Sequence, residues 1–517
     1  MEGQWWVLLR TRKARTSALR WKACAVRLRF TGELLSRRGY LSESEIGKLE
    51  QGGEPLDDSG QLERSMGPAM ATSVVVGCVI GGGIFLKPGS IAAEGASFPL
   101  IISTWVVAGT ACFLAALCFA EMALMYPRAG GQYIYLREAY GRPVAFMQGW
   151  AAMLVIVPAA VGALSVAFVE TLAGVFDSKL TTWEKTGGAV AVLCVVVGIN
   201  LRGARWGGGF QAATTLVKVV SLCCLAALPF VLGLFTGDGF EASNYASAPL
   251  ETGKSGLALF ALVMVSVMFA YEGWQNVTAV AEEIRDPQRN IPRALFMGLA
   301  LVVLVYVAVN LAFHGVLSME EVAASGRGVA QKMTGELIGP MGEGIISLVV
   351  LFSMIGSLNG VILANPRVLF AMGRDYPLIG RLARVHPRYG TPAAALVTLF
   401  AVAVLYLAAA AVYVEFYSGS NLFDILSKYM VFATSIFYFL SVLGSMVLRH
   451  RQPDVERPFR IPLFPLVPIA FLLLYGWFLW RIGFEQPVEA GIGILVIFAG
   501  LVVYFLVFRR AGRDESK

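Results

Sequence analysis

Long apolar runs, separated by short stretches rich in Gly, Pro and Arg, divide the chain from about residue 70 to residue 508. Crossing the hydrocarbon layer takes about 20 mostly apolar residues. Lipid cannot satisfy an unpaired backbone, so each run is read as a helix. The runs fall near 70–92, 98–125, 143–170, 186–201, 207–235, 256–281, 294–316, 343–366, 391–414, 427–448, 462–480 and 488–508. The pattern predicts twelve spans in an all-α integral membrane protein. The run 186–201 is the shortest, but merging it with its successor would put Arg202 and Arg205 inside the membrane.

Composition agrees with this pattern. Hydrophobic residues make up 57% of the chain and charged residues 15%, against roughly 25% charged in an ordinary soluble protein. The net charge of +7 is modest for a nucleic-acid binder, and its distribution suits a membrane. With residue 1 on the inside, the inner connections and the C-terminal tail carry 21 Lys or Arg and the outer connections six. This positive-inside bias predicts cytoplasmic N- and C-termini in a multi-pass protein of the cell membrane. Ten Lys or Arg residues precede position 40, among Trp5, Trp6 and Trp21, with no apolar core of secretory length. Residues 1–65 are read as a basic N-terminal extension. It is either an arm for anionic lipid, a disordered cytoplasmic tail, or sequence upstream of the true start.

Two of the predicted helices are interrupted in corresponding places. The first span reads VVVGCVIGGGIFLKPG (74–89), with Gly81, Gly82 and Gly83 in mid-span. Each glycine weakens a helix by about 1 kcal/mol relative to Ala. The sixth reads VSVMFAYEGWQNVTAVAEE (265–283), with Glu272 and Gly273 in an otherwise uncharged run. A carboxylate there costs about 2.5–3.5 kcal/mol on an insertion scale, so it needs a cavity or a partner. Matching interruptions in spans one and six point to a transporter's binding site. An unwound segment bares N–H groups that attract a carboxylate and C=O groups that accept from an ammonium. A zwitterionic amino acid carries both groups on neighbouring atoms. The glycines alone would also serve close helix packing.

The motifs VIGGGIF (79–85), FAEMALMYPRAGGQYIYLREAYG (119–141), QAATTLVKVVSL (211–222) and FAYEGWQNVTAVAEEIRDPQRNIPRAL (269–295) resemble the amino acid–polyamine–organocation superfamily. Within it they resemble most the L-type and cationic amino acid transporter branches and their bacterial relatives. The resemblance covers about residues 66–510. It implies a transporter core of five plus five helices in inverted repeat, with helices one and six broken and two helices added. Repeat one would run over about 66–236, repeat two over about 255–450 and the added helices over 461–508, before a tail at 511–517.

By motif position, the substrate carboxylate would meet N–H groups around Gly82, Gly83 and Ile84. The ammonium would meet carbonyls near Val79 and Ile80 and near Phe269, Ala270 and Glu272, with Gly81, Tyr271 and Gly273 completing the substrate-binding set. Trp274 resembles a gate over the substrate, with core packing as the alternative. Lys218 lies deep in span five, where the resemblance implies that its ammonium takes the place of the ion bound by sodium-coupled relatives. A buried lysine is also protonatable, and a third use is bracing spans one and eight. The function implied is sodium-independent secondary transport of amino acids, by exchange (antiport) or by proton symport, with protons then as the coupling ion.

Two departures matter. Gly82 stands where the family often has Ser. Glu272 stands where relatives vary, and it suits a cationic amino acid or polyamine, a proton, or a pairing with Lys218. Family members that bind a heavy chain carry a cysteine in the outer loop after span three. Residues 173–184 have none, which predicts no such partner. Glu121 and the loop with Arg128, Gly130 and Gly131 read either as an inner gating loop or as a solvated turn. Glu170 and Lys428 read as structural pairing residues.

The seven cysteines have no metal-ligand spacing and His314, His386 and His450 are scattered, so no metal, cofactor or disulfide framework is predicted and an enzyme is disfavoured. Asn276-Val277-Thr278 lies within a span, which excludes glycosylation. Ala248 and its context exclude a phosphate loop before Gly253-Lys254-Ser255, so transport should not be ATP-driven. An amino acid-sensing membrane receptor of the same fold is the alternative from another class. The expected contacts are a small amino acid and membrane lipid.

Overall fold

The computed structural model describes residues 62–236, 239–251, 253, 256–418, 422–485 and 487–509. The expected basic extension, up to Gln61, and the tail beyond residue 509 lie outside the described residues. Apart from one isolated parallel bridge, Met66 with Ile284, every regular element among the described residues is helical.

In chain order the first span comprises α1 (Pro68–Val79), α2 (Gly83–Leu86) and α3 (Pro88–Ala93). Then follow α4 (Phe98–Met125), α5 (Gln132–Tyr140), α6 (Arg142–Ala151), α7 (Val157–Val175), α8 (Thr182–Leu201) and α9 (Ala204–Thr236). The second half holds α10 (Gly256–Tyr271), α11 (Asn276–Ala279), α12 (Pro287–Val316), α13 (Met319–Ala324), α14 (Val329–Ile338), α15 (Pro340–Ala364) and α16 (Pro366–Asp375). It ends with α17 (Ala393–Tyr413), α18 (Leu422–Arg451), α19 (Leu466–Glu485) and α20 (Pro487–Val503).

Eleven helices among the described residues are long and apolar enough to cross a membrane, where the sequence predicts twelve spans. The region that differs is the expected span 256–281. It forms the 16-residue α10, a turn over Glu272–Gln275 and the four-residue α11, so no continuous helix there has membrane-crossing length. The weak run 186–201 becomes a full 20-residue helix because it begins earlier. Thr181 caps α8 reciprocally: its hydroxyl accepts from the Glu184 N–H at 3.3 Å, and the Glu184 carboxylate accepts from the Thr181 N–H at 2.8 Å. Its first turn is polar, which a count of apolar residues overlooks.

Burial separates inside from outside. Of the most apolar window, 83% is buried in the first span, but only 22% in Ala204–Phe235 and 28% in Ala490–Phe508. The first span is therefore a core element and the other two present their surfaces to lipid. α1 packs on α12, α9 and α15, while α7 packs on α15, α18 and α17. α19 and α20 both pack against α18. A π-turn at Ala152–Ile156 joins α6 to α7. Pro158 lacks an N–H for the carbonyl four residues back, which loosens the helix there.

Candidate substrate site

The two breaks meet. The first begins at Ile80, whose φ of −69° and ψ of 86° leave the helical region. The second turns at Gly273, whose φ of +112° favours glycine and whose added Cβ would lie 2.8 Å from Cys78 Cβ. Gly83 lies against the second break: a Cβ on it would be 2.4 Å from Ala270 Cα. The glycine run therefore serves close packing as well as the interruption.

A narrow cleft lies between the breaks, with about 560 Å³ of empty space once the open solvent at its mouth is included. Of the residues singled out from sequence, Val79, Gly81, Gly82, Gly83, Phe269, Glu272 and Gly273 line it. Ile80, Ile84, Ala270, Tyr271, Trp274 and Lys218 are not in its lining. The wall facing the breaks is apolar, from Ile156, Val157, Ala160 and Leu164 around the π-turn and from Val361 and Met430. Gln275, Asn276, Ser357 and Asn365 add polar groups, and the Asn365 amide donates to Asn276 Oδ1 at 3.3 Å. Sequence reasoning missed this wall, because no local pattern relates α7, α15 and α18 to the breaks. The Asn-Pro step at 365–366, which ends α15, was the one local signal.

No acceptor among the described residues pairs with the backbone N–H of Gly82, Gly83 or Ile84. The carbonyls of the breaks are differently placed. Ile80 O accepts from Lys218 Nζ at 2.7 Å and Ser357 Oγ at 3.0 Å. Val79 O and Ala270 O accept from the Tyr306 hydroxyl at 2.7 and 3.1 Å. Phe269 O accepts from the Glu272 N–H at 3.3 Å. The cleft thus offers unpaired donors at one break and carbonyls that already have partners around it.

Lys218 is 1% exposed, and its ammonium donates to Gly77 O at 2.8 Å, Ile80 O and Ser357 Oγ, joining the first span to α9 and α15. Two further side chains of α9 continue this seam, since Gln211 and Thr215 both donate to Ser73 O. Glu272 does not pair with Lys218. Its Oε1 accepts from Gln275 Nε2 and the Tyr438 hydroxyl, both at 2.8 Å, and among the described residues no cation lies within 4 Å of its carboxylate. Trp274 is buried against Tyr438, with ring centroids 5.4 Å apart, and edge-on to Phe119 at 5.0 Å. Tyr271 turns away, donating to Trp105 O at 3.1 Å.

Both ends of the bundle are tied around the cleft. On the arginine-rich face, the buried Glu283 holds Arg367 at 2.8 Å, and Glu282 accepts from the two terminal guanidinium nitrogens of Arg374 at 2.8 and 2.9 Å. Glu282 also accepts from the N–H groups of Leu62 and Ala129. Burial pushes the Glu282 carboxyl up, but Arg374 and these two N–H groups outweigh it and leave it below the usual carboxylate range. The loop with Gly130 and Gly131 docks on α11, the Gly130 N–H donating to Ala279 O at 3.1 Å. Glu121 is buried between Arg449 and Arg457. On the opposite face Glu170 pairs with Lys185 at 2.8 Å and Arg327 at 2.6 Å; the Lys428 side chain lies outside the described residues. Among the described residues no group of three His, Cys, Asp or Glu is placed to hold a metal.

A family model described as amino acid permease matches residues 67–508. The chain belongs to the amino acid permease family. This permease is 31% identical to the serine/threonine exchanger SteT of Bacillus subtilis (strain 168), over 88% of its own length and 99% of the relative's. It is also 31% identical to the large neutral amino acids transporter small subunit 2 of Rattus norvegicus, over 86% of this chain and 81% of the other. With the b(0,+)-type amino acid transporter 1 of Mus musculus the identity is 29%, over 86% and 88%. The superfamily anticipated from the four motifs is the one these matches give, and the permease is a multi-pass secondary transporter of amino acids rather than an enzyme.

Proposed function

We propose that the permease moves zwitterionic amino acids across the cell membrane by alternating access, with the cleft between the two breaks as the substrate site. The observation that carries this reading is the meeting of both breaks at one cleft lined by Gly82 and Gly83, whose backbone N–H groups have no acceptor among the described residues. Those donors suit the substrate carboxylate. The ammonium would sit toward Val79 and Phe269, and the side chain against Ile156, Val157 and Met430. In this reading the broken region 256–281 is the twelfth crossing, the two halves are inverted repeats, and both termini are cytoplasmic. Lys218 on Gly77 O and Ile80 O supports sodium-independent transport, by exchange or proton coupling. The cysteine-free segment 173–184 supports function without a disulfide-linked heavy chain.

The test is a thermal-shift panel of the twenty amino acids and common polyamines on purified protein, since a ligand of the folded state raises its melting temperature. Counterflow of the best ligand in proteoliposomes, with choline replacing sodium, follows. Binding without counterflow would favour the sensing receptor. No shift from any amino acid would refute the site.

One observation favours a second reading, transport of cationic amino acids or polyamines. The Glu272 carboxylate lines the cleft with no cation within 4 Å among the described residues. Competition of arginine and putrescine against neutral amino acids for uptake, in the wild type and in Glu272→Gln, separates the two. A cationic preference that Glu272→Gln abolishes would establish the second reading.

A further inference from the structure

Tyr306 is fully buried on α12 and is not part of the cleft lining. Nothing in the sequence pattern marks it. Its hydroxyl nevertheless lies 2.7 Å from Val79 O, at the last residue of α1, and 3.1 Å from Ala270 O, next to the last residue of α10. In a continuous helix these carbonyls would accept from the N–H groups of Gly83 and Trp274, four residues on. Both breaks remove those donors. One hydroxyl from a third helix therefore serves the orphaned carbonyls of both interrupted helices. The ring is held from the other side by Trp105, edge-on at 5.2 Å, and Tyr271 at 5.3 Å.

A phenol carries a single proton, so at any moment it donates fully to one of the two carbonyls. Val79 lines the cleft and Ala270 does not. When the hydroxyl turns to Ala270 O, the Val79 carbonyl is left with acceptor capacity beside the cleft. An ammonium arriving there finds its acceptor already oriented, and the hydroxyl keeps its bond to the sixth span. We infer that Tyr306 is a positioning residue for substrate binding. It holds the two breaks in register and turns its O–H from one carbonyl to the other as the ammonium enters and leaves. This inference rests on the reading of the cleft as the amino acid site.

The experiment compares Tyr306→Phe with wild type in full-length protein reconstituted into proteoliposomes, using the amino acid with the largest thermal shift. Phe keeps the ring between Trp105 and Tyr271 and removes one oxygen. The expected result is a KM at least tenfold higher with Vmax changed less than threefold. Tyr245→Phe is the control. It deletes a hydroxyl that bonds Leu311 O, on the same helix but away from the breaks, at 2.9 Å, and should leave KM within twofold of wild type. Where Tyr306→Phe expresses poorly, the ligand concentration for half-maximal thermal shift of the monodisperse fraction gives the same comparison. A Tyr306→Phe KM within twofold of wild type, or below it, overturns the inference. So does an equal rise in both variants, which would reflect α12 packing. A wild type that no amino acid shifts refutes the site itself, a result distinguishable from a wild type that is shifted alongside an unaffected Tyr306→Phe.

Discussion

The ammonium of Lys218 stands 2.9 Å from the Ser357 hydroxyl, and both groups converge on the same two carbonyls of the first span, Gly77 O and Ile80 O. A single buried amino group thus sits where three helices meet, immediately before the first break. Burying it carries a desolvation penalty that an apolar side chain of similar volume avoids. Ser357 would still serve both carbonyls if the lysine were lost. For Lys218→Met the expected outcome is a melting temperature close to wild type together with transport lowered at least tenfold. Differential scanning fluorimetry and counterflow of the same preparation check it. Equal losses in both would make Lys218 a structural brace alone.

Gly83 has no room for a side chain. A Cβ there would lie 2.4 Å from Ala270 Cα and 2.7 Å from Ala270 Cβ, so backbone, not a flexible side chain, must yield. Overpacking of this kind typically costs about 1–3 kcal/mol. Gly83→Ala should lower the melting temperature by several degrees and abolish uptake, because the breaks can no longer touch. Wild-type stability in Gly83→Ala would show that they do not approach this closely.

Glu282 ties the N-terminal segment at Leu62, the loop at Ala129 and α16 at Arg374 into one cluster. Its carboxyl lies below its ordinary value of 4.5 in the folded protein. A depressed carboxyl contributes stability that is fully present above the unfolded-state value and is lost as pH falls through the folded-state value. Glu282→Gln lacks that contribution at every pH. The melting-temperature gap between wild type and Glu282→Gln should therefore be constant from pH 7 to about pH 5 and close as the pH is lowered further. A gap that widens on acidification would contradict the ion-pair assignment.

Much of the fold was legible because a membrane helix must satisfy its backbone internally, so length and hydropathy decide almost everything. The first break was visible in Gly81–Gly83 and the second in Glu272–Gly273, since both violate that rule. What the sequence withheld is what lies across from the breaks. Tyr306 in α12 reads like any aromatic of an apolar helix, and Ser357 like a small packing residue. Their importance arises only where α12 and α15 pack on α1. Glu282 and Glu283 lie within the quoted motif 269–295, but their partners Arg374 and Arg367 lie more than eighty residues on and pair through tertiary packing alone. Trp274 could be read as gate or core, and here it is buried in an aromatic cluster outside the cleft lining.

Cys78 offers a direct reading of the cleft. It lines the cavity and is 5% exposed, with Cys112 and Cys118 buried elsewhere and Cys194, Cys223 and Cys224 exposed on α8 and α9. A small, charged thiosulfonate reagent reaches thiols from water and not from hydrocarbon. In a variant that keeps Cys78 and replaces the other six cysteines with Ser or Ala, the reagent should react slowly. Transport activity should fall in step with that labelling. A saturating amino acid ligand should reduce the labelling rate at least fivefold, because substrate and reagent compete for one space, whereas an amino acid that gives no thermal shift should not protect. Mass spectrometry of the intact protein over time measures both rates. Labelling as fast as that of an exposed thiol, or labelling indifferent to the ligand, would place Cys78 outside the substrate's path and separate the cleft from transport.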